Sequence, residues 1–210
     1  VADVLLEPFK IHNLDINVSE TANRLLNQVG LSADHLKRYP HEMSGGQLQR
    51  IGIARAIALN PSLIVADEPV SALDVSVQAQ VVNLMVSLRE KMGISYIFIS
   101  HDMSIVKYFC DRVAVMYLGK IVEIANSEDI YNRHIHPYTE ALLSAIPGLQ
   151  KKDNTPKFKV HGDLPSPSDP PKGCSFQTRC HLKEKKCEEI EPTLKEVDSD
   201  HLVACFLSEK

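Results

Sequence analysis

Met43-Ser44-Gly45-Gly46-Gln47, then a helix-patterned stretch, then Leu63-Ile64-Val65-Ala66-Asp67-Glu68-Pro69: these two runs and their order decide the fold. A glycine pair just ahead of a helix leaves backbone N–H groups facing outward, and the positive end of the helix adds to them, so an anion such as a phosphate can sit there. The second run is a short apolar strand ending in two adjacent carboxylates. That is how a nucleotide-hydrolysing site presents one group to Mg²⁺ and another to water. Neither run decides alone, since Ser-Gly-Gly is common loop chemistry and Asp-Glu-Pro after a strand is often a solvated turn.

Two further segments fix the reading: Ser71-Ala72-Leu73-Asp74, and Ser100-His101-Asp102 behind a second apolar strand, Ile97-Phe98-Ile99. The four together, in this order over residues 35–135, resemble the ATP-binding-cassette ATPases: signature loop, Walker B strand, D-loop and switch histidine. The resemblance implies an α/β nucleotide-binding domain with a parallel sheet and a helical subdomain. It also implies ATP and Mg²⁺ as ligands and a head-to-tail partnership with a second ATPase subunit. Ser44, Gly45, Gly46 and Gln47 would then face the γ-phosphate held by the partner. Asp67 would hold Mg²⁺, Glu68 would orient and deprotonate the attacking water, and His101 would sense the γ-phosphate. Asp74 would couple the two sites, a role compatible with a plain helix cap before Val75. Met43 stands where the family most often has Leu, a swap of similar apolar volume.

The family's phosphate cradle, GxxxxGK[ST], is not found ahead of these motifs. The only Gly-Lys pair is Gly119-Lys120, and Ala114 stands where the cradle's first glycine would be. Those residues read as a hairpin between Val113–Tyr117 and Ile121–Ile124. The expectation is therefore a C-terminal part of a cassette, inactive by itself, with the start at Val1 agreeing.

Composition sets looser bounds. With 210 residues and 44% hydrophobic content the chain can bury an ordinary core. A formal charge of −4 gives no basic field for nucleic acid. No apolar run approaches the roughly 18 residues that span a bilayer, and no signal-like segment opens the chain. The expected location is the cytoplasm, peripheral to the membrane through transmembrane permease subunits. A DNA-maintenance ATPase would show heptad arms and a basic surface, and neither is present; a non-catalytic regulatory module is the other alternative.

Along the chain, Val4, Leu5 and Pro8 suggest a first short helix. Ser19-Glu20-Thr21-Ala22 can cap a second running to Gly30, and Ile51, Ala54 and Ala58 recur at helical spacing before Asn60-Pro61. From Leu63 to Ile124 strands alternate with helices around Val75–Glu90 and Met103–Phe109, the rhythm of a parallel α/β sheet. His136-Pro137-Tyr138 opens a helix-like stretch to Ile146. Residues 147–171 hold half of the twelve prolines and read as an extended linker. The expected domains are 1–133, comprising the helical subdomain with the signature helix (1–60) and the Walker B to switch-histidine core (61–133), and a Cys-rich extension over 134–210.

The His-Pro-Tyr stretch and the tail resemble the C-terminal extension of oligopeptide and dipeptide transporter ATPases, whose relatives also serve nickel and other small solutes. His136 and Tyr138 read as packing and a helix start. Of five cysteines, Cys110 reads as a buried small hydrophobe, while Cys174-x5-Cys180-x6-Cys187-x17-Cys205 offers four soft ligands. Four thiols suit a [4Fe–4S] cluster or tetrahedral Zn²⁺, and the wide spacing favours the cluster, which some members of the resembled family carry here.

Overall fold

The computed structural model describes residues 1–146 and 162–209. Most of the proline-rich stretch therefore lies outside the described residues, and 162–171 form neither helix nor strand. The chain makes two compact units, Val1–His101 and Asp102–Lys210.

In the first unit three helices, α1 (Ala2–Ile11), α2 (Val18–Gln28) and α3 (Gly45–Ala56), precede a β-α-β element: β1 (Leu63–Asp67), α4 (Val75–Met92) and β2 (Ser95–Ile99). Leu5, Leu25, Leu26 and Ile57 are fully buried, so the helical layer has its own apolar core. Helix α2 is capped by Asn17, whose side chain accepts from the Glu20 N–H; Ser19, the expected cap, lies inside the helix. Helix α3 stops at Ala56, four residues earlier than Asn60-Pro61 suggested. Strands β1 and β2 are parallel, in a register running from Leu63 opposite Ser95 to Asp67 opposite Ile99. Helix α4 makes the long crossover that parallel pairing requires, with Val81, Val82, Met85 and Leu88 on its buried face.

The second unit holds α5 (Met103–Phe109), β3 (Arg112–Tyr117), β4 (Lys120–Asn126), α6 (Ser127–Arg133), α7 (Pro137–Ser144), α8 (Lys186–Glu189), β5 (Lys195–Asp198) and β6 (His201–Val203). Its sheet runs β3-β4-β6-β5, and every pair in it is antiparallel. Strand β3 does not extend the parallel sheet, which among the described residues holds β1 and β2; it pairs with β4, as the hairpin reading of Val113–Tyr117 and Ile121–Ile124 expected. The cause is the two-residue turn Leu118-Gly119, both at positive φ (46° and 78°), which folds the chain straight back. Gly119 thus lies in a hairpin turn, as the sequence indicated, and Lys120 opens β4. Strand β3 alternates cleanly, burying Val113, Val115 and Tyr117.

The tail is joined to the rest of its unit: β6 pairs with β4, Glu123 opposite Val203 and Ile124 opposite Leu202. Phe176, 1% exposed, packs against Tyr117 and Tyr138 at ring separations of 5.2 and 5.3 Å. This aromatic cluster supplies the apolar burial that the Cys-rich sequence lacks.

Candidate functional site

The strand register brings the carboxylate pair and the histidine together. Asp67 and Ile99 are opposite each other at the ends of β1 and β2, so the residues just beyond, Glu68 and His101, emerge at one edge. The Glu68 N–H donates to Ile99 O at 3.0 Å, tying the two strand ends. Glu68 adopts φ 45°, a left-handed conformation that a non-glycine residue holds only at a cost its surroundings must offset. Ser71 Oγ donates to its carbonyl at 3.2 Å. The carboxylate lies 3.0 Å from His101 Nδ1, and both side chains are well exposed. That hydrogen bond from His101 is the main reason the Glu68 carboxyl is held below its usual value, with the ring's charge and Ser71 adding to it against partial burial.

Asp74 caps α4 by accepting from the N–H groups of Ser76 and Val77 at 3.1 and 3.0 Å and from Ser76 Oγ at 2.6 Å. The Ser76 hydroxyl, then the Val77 N–H, hold this carboxyl below its ordinary range. Gln78 Nε2 donates to Val70 O at 3.0 Å, so the loop from Glu68 to Asp74 is fastened at several points.

Ser44 caps α3 in a reciprocal box: the Ser44 N–H donates to Gln47 Oε1 at 3.0 Å, and the Gln47 N–H donates to Ser44 Oγ at 3.3 Å. The first turn of this 12-residue helix carries no acidic side chain, which leaves its positive end uncompensated from within. Asp67, exposed, stands on the wall of a cavity of about 210 Å³ that α3 and β1 enclose with Gln49, Gly52, Ile53 and Tyr96.

In the second unit Cys174, Cys180, Cys187 and Cys205 all line one narrow cavity of about 20 Å³, with His136 and Phe176 on the same wall. All are free thiols and half-buried. Burial pushes Cys174 up to about 11 and raises Cys180 and Cys205, and neighbouring cysteines add to each rise. The donor set fits a soft metal centre in number and chemistry. The expected ligation is nonetheless not shown: among the described residues no three His, Cys, Asp or Glu side chains stand in a metal-holding arrangement. Cys110 is half-buried, not buried as the sequence suggested.

His136 caps α7, its Nδ1 accepting the Tyr138 N–H at 3.1 Å, and burial lowers it to about 4. Sequence reasoning missed its neighbour Glu123, which is fully buried. Glu123 accepts from the Ile135 N–H (2.7 Å), the His136 N–H (3.1 Å) and His201 Nε2 (2.8 Å). The available signal was a lone carboxylate within the apolar run Ile121-Val122-Glu123-Ile124-Ala125.

Two family models match the chain: "ABC transporter" over residues 4–71 and "Oligopeptide/dipeptide transporter, C-terminal region" over 122–187. It is 51% identical over 208 residues to the oligopeptide transport ATP-binding protein AppF of Bacillus subtilis, covering 97% of this chain and 63% of that protein. The chain belongs to the ABC transporter family. The dipeptide transport ATP-binding protein DppF of Escherichia coli is 48% identical over 209 residues, covering 98% of this chain and 62% of that protein. This ABC protein therefore spans less than two thirds of the length of these relatives. Among solved structures, the ATP-binding cassette MJ0796, a dimer in a post-hydrolysis state bound to ADP and Pi, is 26% identical with a TM-score of 0.52. That match covers 60% of this chain and 55% of the other. The first family match contains Ser44–Gln47, Asp67 and Glu68, and the second contains the His-Pro-Tyr motif and three of the four tail cysteines. Among the described residues no helix is long and apolar enough to cross a membrane.

Proposed function

We propose that this chain belongs to the ATP-hydrolysing, energy-coupling subunit of a peptide importer, working with a second ATPase subunit and with transmembrane permease subunits on the cytoplasmic face of the membrane. The observation that carries this reading is the Glu68–His101 pair, assembled at one sheet edge by the register of β1 and β2. Similarity to AppF and DppF, named for oligopeptide and dipeptide transport, supports the solute class. In this reading residues 1–133 serve the ATPase and 134–210 form the transporter-specific extension.

Glu68 accepts the proton of the attacking water as the water oxygen bonds to the γ-phosphorus and ADP leaves. Held below its usual value, Glu68 is ionised at neutral pH and orients the water through its carboxylate oxygens. With Nδ1–H directed at Glu68, His101 donates from Nε2 to a phosphate only when the ring carries both protons. Asp67 is the residue that would hold Mg²⁺, which neutralises phosphate charge when bound. Ser44, Gly45, Gly46 and Gln47 offer a hydroxyl and backbone N–H groups to the ATP on the partner subunit. Asp74 holds the loop between the two sites in place. Cys174, Cys180, Cys187 and Cys205 would hold a [4Fe–4S] cluster, with Zn²⁺ as the alternative occupant; either supplies a cross-link for the tail.

The test is ATP-driven peptide uptake by the full-length subunit reconstituted with its permeases. Uptake of short peptides that Glu68→Gln abolishes is expected; ATP hydrolysis without any peptide uptake would remove the importer assignment.

A further inference from the structure

Gly46, the second glycine of the signature loop, has a close neighbour on another helix. A Cβ placed on Gly46 would lie 2.5 Å from Val77 Cγ1, while Val77 Cβ and Cγ2 would stand at ordinary distances of 3.8 and 3.9 Å. The first glycine is crowded less: a Cβ on Gly45 would meet Leu73 Cδ2 at 3.3 Å. Val77 cannot easily turn away. It is β-branched and helical, which restricts it to one strongly preferred rotamer, and its N–H is bound to the Asp74 carboxylate. The segment behind it is tied in turn, through Gln78 to Val70 O and through Ser71 to Glu68 O. A continuous set of contacts therefore runs within one unit from the Glu68 backbone to the N-terminus of α3.

We propose that Val77 is a positioning residue: it seats the start of α3 on the first turn of α4, and residue 46 is glycine because only a hydrogen leaves room for that seat. The loop that carries Glu68 and the loop that carries Ser44 then hold one fixed relation within a protomer. Because one serves the protomer's own ATP and the other the partner's, Val77 links the two sites from inside each subunit. This last step rests on the ATPase reading above; the Gly46–Val77 seat does not.

Four forms of the full-length subunit test it: parent, Gly46→Ala, Val77→Ala and both together. Alanine in a helix is intrinsically favoured over glycine, so without the seat Gly46→Ala should raise Tm. With the seat, Gly46→Ala lowers Tm and cuts kcat roughly tenfold, while the same change in the Val77→Ala background raises Tm and recovers most of kcat. The proposal is overturned if Gly46→Ala raises Tm in both backgrounds, or if Val77→Ala restores neither Tm nor kcat; the glycine would then be needed only for phosphate approach. Were the parent to hydrolyse no ATP, the ATPase reading would fall, and the Tm comparison would still decide the Val77 contact.

Discussion

Glu123→Ala should be among the most destabilising single changes in the second unit. The Glu123 carboxylate is fully buried and accepts three hydrogen bonds, and two of the donors, the His136 N–H and His201 Nε2, are themselves buried. The third, Ile135 N–H, is only partly buried and can turn to water. Each of the two buried donors left unpaired costs about 1–3 kcal/mol, so a loss of roughly 3–5 kcal/mol is expected from the two together. For a unit of this size that lowers Tm by more than about 10 °C. His201→Ala removes one of the three bonds and should cost about 1–3 kcal/mol. The assay is urea unfolding followed by near-UV circular dichroism, which reports the packed Tyr117 and Tyr138 rings. A Glu123→Ala protein within about 1 kcal/mol of the parent, or one more stable than His201→Ala, would refute the view that this carboxylate staples β4 to β6 and to the start of α7.

Two other outcomes follow from the sites. His101 is the main cause of the lowered Glu68 proton affinity, so in His101→Ala the Glu68 carboxyl should titrate nearer its ordinary value, as read by carboxyl NMR. The stability gained from a depressed carboxylate is present above the ordinary carboxylate range and lost as pH falls through the depressed value; His101→Ala should remove that component, and an unchanged Glu68 titration would break the assignment. At the cysteine cavity, burial favours the protonated thiols of Cys174, Cys180 and Cys205, so metal uptake there releases protons and should strengthen as pH rises. Anaerobic material should be brown and carry about four iron atoms per chain, lost in Cys180→Ser. Stoichiometric zinc without iron would leave a Cys₄ zinc site.

The motifs were legible because each is local and its chemistry depends on neighbours in sequence. Ser44 before two glycines, the carboxylates closing an apolar strand, and Asp74 ahead of a helical run all form caps or strand ends where the sequence placed them. The α/β class and the Leu118-Gly119 hairpin were legible for the same reason. What could not be read is set by long-range pairing. Strand β6 is three residues long and carries too little pattern to announce itself, so its pairing with β4 was hidden, and with it the partner that makes a buried Glu123 tolerable. The exchange of Ser19 for Asn17 as cap is a competition between two good capping residues two positions apart, which propensity cannot resolve. The contact of Gly46 with Val77 joins residues 31 positions apart and shows only in three dimensions.

The central claim is that Glu68, poised beside His101, is the base for ATP hydrolysis in this ABC subunit. Measuring ATP binding and turnover of full-length Glu68→Gln side by side tests it most directly. Unchanged ATP affinity with kcat lowered by about 10²–10⁴, and accumulation of an ATP-bound dimer, is the predicted result, because the amide keeps the shape but cannot take the proton of water. Turnover within about threefold of the parent would contradict it and assign proton abstraction to another group.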